Sequence, residues 1–325
     1  MQTIFALHTA REAEYNIALA KVKDKFLPDL NSMEEQDKEQ LSKDRKTAEA
    51  CFKNAFHNGM DNLDPDVTPE VVVAVSNCLT EYENQVTDIK RSYKKRLISE
   101  TKGIFDQYLL LLALISEIKR IFESSLKSDK KSNFISNKIV EGLNNSSEFE
   151  KLIIKKNLTW QNEQSNIRTW VKEIIKKDES FLKYESLTGP TFEQDLNIIL
   201  YIYKSLVFKN ETIKAYFESS DLGWSENSSV LKSMVLKTFK SMEEEENEPV
   251  LMELSKNWAD DLLFLENIFD FSVNNEEEYK EIVAEKSKNW EIDRVALTDK
   301  IILEMALAEM INFNSIPIKV TINEY

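Results

Sequence analysis

The side chains that could do chemistry are few and poorly spaced for it. Only two histidines, His8 and His57, occur in 325 residues. Neither lies in an HExxH run or beside a cysteine at ligand spacing, as a zinc site requires. A catalytic triad would have to use one of the two, and no GxSxG turn offers a nucleophile. Five glycines in the whole chain, in neither GxGxxG nor GxxxxGKS/T order, leave no phosphate-cradling loop. Carboxylate pairs such as Asp260-Asp261 and Glu276–Glu278 abound, but a di-iron bundle would need two ExxH pairs and there are none. In so acidic a chain these carboxylates read as solvated faces or first-turn charges favoured by the helix dipole. His8 falls on the first helix, where a surface or half-buried packing role fits it. The expectation is a protein that is not an enzyme and uses no cofactor and no metal.

The two cysteines, Cys51 and Cys78, lack CxxC spacing and sit in helical patterns, as buried thiols of a reducing cytosol do. The longest apolar run, Tyr108–Ile115, is too short to span a bilayer, and no basic-then-apolar leader precedes the first helix. The expected location is cytoplasmic, with no membrane partner. Net charge is −15, unevenly spread: residues 1–85 carry −7, residues 86–185 carry +6 and residues 186–325 carry −14. Phosphate attraction, if nucleic acid is a partner, therefore points to the middle third, although a solvated helix face would read the same way.

The elements that must position these residues are helices. Five glycines and six prolines are too few for the turns of a β-sandwich or a Rossmann-like sheet. An apolar share of 42% is too high for disorder. The fold class is all-α. One amphipathic helix runs from Met1 to about Phe26, and a second from about Ser32 to His57, with Asn31 and Ser32 as cap candidates. Thr68-Pro69 opens a helical stretch over roughly 69–99, followed by another over about 101–127. The polar segment Ser128–Ser147 is the best internal boundary. Helices are then expected over Thr159–Leu182, over Phe192–Phe208 after the Gly189-Pro190 break, and from near Val230 to the acidic run Glu243–Glu246. Further helices are expected over Trp258–Val273, near Glu276–Lys286 and over about Ala296–Asn312. No repeat of fixed period is present.

The final 36 residues are the most specific. Leu297, Ile301, Ile302, Met305, Ala306 and Met310 fall on one helical face, with Asp299, Lys300, Glu304 and Glu309 on the other. Asn312-Phe313-Asn314-Ser315 ends that helix, and Ser315 can cap a new one with Pro317 in its first turn. Ile292-Asp293-Arg294-Val295-Ala296, Asp299-Lys300-Ile301-Ile302-Leu303, Met305-Ala306, Glu309, Ile316-Pro317-Ile318-Lys319-Val320 and Ile322-Asn323-Glu324 together resemble the NusB family of bacterial transcription antitermination factors. Met1–Leu7 resembles that family's opening helix, and Trp258–Leu262 with the helix after it fits the middle of its core. The family motif thus includes Asp293, Arg294, Asp299, Pro317, Lys319, Asn323 and Glu324.

The resemblance implies NusB-like helical bundles formed by residues 1–30 and 258–325, with residues 31–257 as a large helical insertion of the Bacteroidetes type. It implies non-enzymatic antitermination in ribosomal RNA transcription, through ribosomal protein NusE, boxA-type RNA and the RNA polymerase antitermination complex. Of the family's RNA-facing positions on the first helix, Gln2 and Phe5 carry over, Phe5 standing where a tyrosine is frequent and keeping its stacking face. The family's arginine-rich segment has no counterpart before Met1, nor its last helix after Tyr325, so the expectation is a copy incomplete at both ends. Two other readings remain open: a helical scaffold or adaptor without RNA binding, and the accessory domain of an RNA methyltransferase acting with a second chain.

Overall fold

The computed structural model describes residues 1–31, 33, 35–125, 131–286 and 294–325. Every regular element among them is helical, as the shortage of glycine and proline requires. In chain order the α-helices begin with α1 (Gln2–Asp24), α2 (Lys38–Asn58), α3 (Pro69–Ser125), α4 (Lys138–Asn145) and α5 (Ser147–Lys155). There follow α6 (Gln164–Glu173), α7 (Glu179–Glu185), α8 (Phe192–Tyr201), α9 (Glu211–Ser220) and α10 (Trp224–Lys240). The last four are α11 (Trp258–Asn274), α12 (Glu276–Lys286), α13 (Leu297–Asn312) and α14 (Ile318–Glu324). The chain divides into two compact units, residues 1–99 with 259–325, and residues 100–258. The first takes in more of the chain than the segments that carry the family resemblance.

In the first unit, α1 and α2 bury Ala18, Val22, Ala48, Phe52 and Ala55 against Val71, Ala74, Val75 and Cys78 of α3. The cap of α2 is Asp37, whose carboxylate accepts from the amides of Glu39 and Gln40 at 3.0 Å each. The cap expected at Asn31 is thus displaced six residues; Ser32 lies outside the described residues. A side chain closing two free amides fixes a helix start better than polarity alone. At the other end Gly59, at φ 82°, takes the left-handed turn for which glycine is favoured, its N–H bonding the Ala55 carbonyl at 2.9 Å.

The expected break near residue 100 is absent. α3 runs unbroken for 57 residues, because a lone Gly103 with only open space around its Cα costs about 1 kcal/mol and does not end a helix.

In the second unit the described part of the expected boundary, residues 131–147, is core. Phe134, Ile139, Val140 and Leu143 are fully buried with Tyr108, Leu112, Tyr203 and Phe239. The polar residues that suggested a linker are consumed by internal bonds. Asn137 caps α4 and donates to the Tyr184 hydroxyl at 3.0 Å, and buried Asp195 accepts from Tyr184 at 2.7 Å and from the Lys138 amide at 2.8 Å. Gly142 is required by contact: a Cβ there would lie 2.3 Å from the Asn247 carbonyl oxygen. The single helix expected over 159–182 is two helices, α6 and α7, parted by a 3-10 turn at Ile175–Lys177 and by Asp178, which caps α7. The helix expected from Phe192 ends as α8 at Tyr201 and continues as a π-type turn over Ile202–Val207. The helix expected up to the acidic run is α10, which starts earlier, at Trp224, and stops at Lys240.

Candidate functional site

The first seven residues of α1 divide cleanly into two faces. Ile4 and Leu7 are buried against Phe269 of α11 and Ile301 of α13, with Ile89, Tyr93 and Leu97 of α3 packed on the same cluster. Gln2 and Phe5, three apart and so neighbours on a helix, are both exposed, Phe5 by 42%. An aromatic ring left that open is available to stack on a base. The α3 segment beneath this end of α1 holds the chain's densest basic run, Lys90, Arg91, Lys94, Lys95 and Arg96. Its inward residues are Ile89, Tyr93 and Leu97. Lys94 is tied to Asp270 at 2.7 Å and Glu266 at 3.6 Å. Among the described residues Arg91 pairs with Asp88 alone, at 3.5 Å and with both side chains more than 70% exposed, a pairing of little strength in water. Arg91 and Lys95 are exposed, within the middle third whose positive balance pointed to phosphate.

One turn further along α1, His8 and Arg11 meet the carboxylate of Glu276, the first residue of α12. Arg11 Nη1 lies 2.7 Å from Oε2, Lys280 Nζ 2.5 Å from Oε1 and His8 Nδ1 3.7 Å from Oε1. Burial pushes the Glu276 carboxyl up, but Lys280, His8 and Arg11 together outweigh it and hold it below its ordinary range. Burial lowers His8, and Arg11 and Lys280 lower it further, against the pull of Glu276. His8 is thus less ready to take a proton than a free imidazole and packs, half-buried, beside a carboxylate already paired with Arg11 and Lys280.

The same face of α13 carries a correction. Glu304 and Glu309, expected on the polar face, are buried, at 3% and 6% exposure, while Leu297, Leu303 and Ile311 are exposed. Each carboxyl has a physical reason. Glu309 is satisfied: it accepts from the Thr321 hydroxyl at 2.8 Å and from the Tyr325 hydroxyl at 3.2 Å, so it ties α14 to α13. Tyr325 is pushed up to about 12, by burial first and then by Glu309. Among the described residues, Glu304 Oε2 has no hydrogen-bond partner. Burial, then the nearby Glu276 charge, raises the Glu304 carboxyl to about 7, so it takes up its proton near neutral pH rather than in the usual carboxylate range.

The family-motif residues fall around these two. Arg294, Asp299, Pro317, Lys319, Asn323 and Glu324 are all exposed; Asp293 lies outside the described residues. Pro317 stands as the N-cap of α14 with no side-chain cap bond, so Ser315 does not cap this helix. Thr321 is the buried anchor of α14, and Ile318, Val320 and Ile322 are left 45–64% exposed. The sequence reading missed Glu309 and Thr321 as the clasp of the terminal pair. Their twelve-residue separation across a turn is a signal only once α13 and α14 are known to be antiparallel.

Among the described residues no group of three or more His, Cys, Asp or Glu side chains could hold a metal ion. Cys51 and Cys78 are buried free thiols, and burial raises both above their ordinary range, away from the reactive thiolate. Among the described residues no helix is long and apolar enough to cross a membrane.

Residues 229–325 match the model of the NusB family. The match covers α11–α14 and most of α10, and it supports a NusB-type domain, hence a transcription- and antitermination-related family for this part of the chain. No curated protein matches the chain, and no solved structure does.

Proposed function

We propose that the chain is a non-enzymatic antitermination factor of the NusB type, cytoplasmic and bacterial, that binds boxA-type RNA together with ribosomal protein NusE. The observation that carries this reading is the juxtaposition at the start of α1. Exposed Gln2 and Phe5 sit on the unit that contains most of the NusB-type match, over the α3 segment that bears the basic run Lys90–Arg96. On this reading Phe5 stacks a base, Gln2 reads an edge, and Arg91 and Lys95 neutralise phosphates. The exposed apolar residues of α14 and α13 offer the protein partner a hydrophobic surface.

Fluorescence anisotropy with a labelled boxA-type RNA, with and without NusE, tests the proposal. Saturable binding is expected, strengthened by NusE and falling with salt in proportion to the number of phosphates neutralised. Phe5→Ala should weaken it by about tenfold, the scale of one base stack. No binding of either RNA or NusE by the chain would sink the idea.

A second reading, a helical scaffold that binds only protein, draws on the net charge of −15 and on exposed Ile318, Val320 and Ile322. NusE binding without any salt-dependent RNA binding would favour it.

A further inference from the structure

Within residues 100–258 a cleft of about 520 Å³ opens between the start of that unit's α3 segment, the end of α5 and the strap 253–258. Its lining includes three lysines, Lys102, Lys156 and Lys256, and two aromatic rings, Phe105 and Trp258, against one carboxylate, Glu253. We propose that this cleft is a nucleotide-binding site, taking a planar base between the aromatic walls and its phosphate on Lys102 and Lys256.

The walls are built rather than loose. The residues leading into the strap are fixed by two bonds: the Val250 amide donates to Ser241 Oγ at 2.9 Å, and the Met252 amide donates to the Tyr108 hydroxyl at 2.9 Å. Leu251, Met252 and Leu254 pack on the large core below it. Opposite, Lys156 is ion-paired with Asp106 and its Nζ lies 5.5 Å from the centre of the Phe105 ring. That pairing spends most of its charge on Asp106 and fixes its stem along the wall.

Lys102 and Lys256 differ: both are exposed, and among the described residues neither is ion-paired. Two unneutralised ammonium groups beside two half-buried rings form a phosphate-and-base recognition pattern. The volume falls in the range of sites that take small ligands. The same chemistry is offered by a free nucleotide and by one residue of single-stranded RNA.

The test uses the full chain with two probes, AMP and a fluorescein-labelled ten-nucleotide oligouridylate, each titrated against the parent and its variants. Binding of either probe supports the proposal when Lys102→Ala with Lys256→Ala weakens it by about tenfold. A control pair of exposed lysines in the same unit, Lys183→Ala with Lys209→Ala, should change it by less than about twofold. For the oligonucleotide the cleft pair should also reduce the slope of log affinity against log salt by about 1.4, at roughly 0.7 for each phosphate of a single strand that is no longer neutralised. Trp258→Phe should keep affinity and Trp258→Leu should lose it. Binding of AMP assigns the site to a free nucleotide; binding of the oligonucleotide alone assigns it to a strand.

Three results would overturn the proposal: no saturable binding of either probe, equal losses in the cleft and control pairs, or binding removed by Phe5→Ala and untouched by the cleft pair. The last would leave the function proposed above intact.

Discussion

In residues 100–258 the buried side chains form one continuous cluster, from Tyr108 to Met242, rich in aromatic contacts such as Phe217 stacked on Trp224 at 4.2 Å. Residues 1–99 with 259–325 bury theirs in three separate clusters, with the carboxyls of Glu276, Glu304 and Glu309 buried among the same helices. The first arrangement draws most of its stability from area removed from water, with one buried carboxylate, Asp195, held by the Tyr184 hydroxyl and the Lys138 amide. The second leans on how well its buried charges are paired, so its stability must follow pH and partner. The candidate RNA face lies on the second kind of unit and the nucleotide cleft on the first.

Cutting the continuous cluster puts this contrast under the most strain. Phe239 is fully buried, with its ring 5.3 Å from that of Tyr203. Phe239→Ala should cost about 3–5 kcal/mol, read as a lower urea midpoint in tryptophan fluorescence. Trp160, Trp170 and Trp224 are buried in this unit and report on it. A loss below about 1 kcal/mol would mean that continuity of this core is not what holds it.

The next largest effect belongs to Glu304. Its folded value of about 7 lies above its ordinary 4.5, so the native state holds the proton more tightly than the unfolded one. That contribution is fully present below about pH 4.5 and is lost as pH rises through 7. Glu304→Gln should therefore leave stability unchanged near pH 4 and raise it by on the order of 3 kcal/mol at pH 8, measured by thermal unfolding across that range. Parallel pH profiles for parent and variant would show that Glu304 is not the source.

The smallest effect tests local structure alone. Asp37→Ala removes the cap of α2 and should cost about 1 kcal/mol, seen as a modest drop in the thermal midpoint by circular dichroism. A drop much above 2 kcal/mol would mean that Asp37 supports tertiary packing as well.

Much of the fold was legible because its signals are local. The shortage of glycine and proline dictated helices, Thr68-Pro69 marked the start of α3, and α11–α13 begin and end within a residue or so of the expected positions. Two of the errors share one cause. Ser and Asn in 131–147 looked like a linker, and Glu304 and Glu309 looked like a solvated face, because a polar side chain declares solubility locally and reveals its partner only in three dimensions. Asn137 needed Tyr184, 47 residues away, and Glu309 needed Thr321.

Residue order was enough for the all-α class, the near-absence of residues suited to catalysis, the resemblance carried by the last 36 residues, and the outward pair Gln2 and Phe5. The first two follow from composition and short spacing and the last two from the family resemblance, none of which needs knowledge of what packs on what. Folding was needed to bring Lys90–Arg96 under the start of α1, to gather Arg11, Lys280 and His8 on Glu276, to bury Glu304 beside Glu276, and to set Lys102 and Lys256 in one cleft with Phe105 and Trp258. Each joins residues tens to hundreds of positions apart, and the charge, burial and hydrogen bonding that give them meaning exist only once the chain has closed those distances.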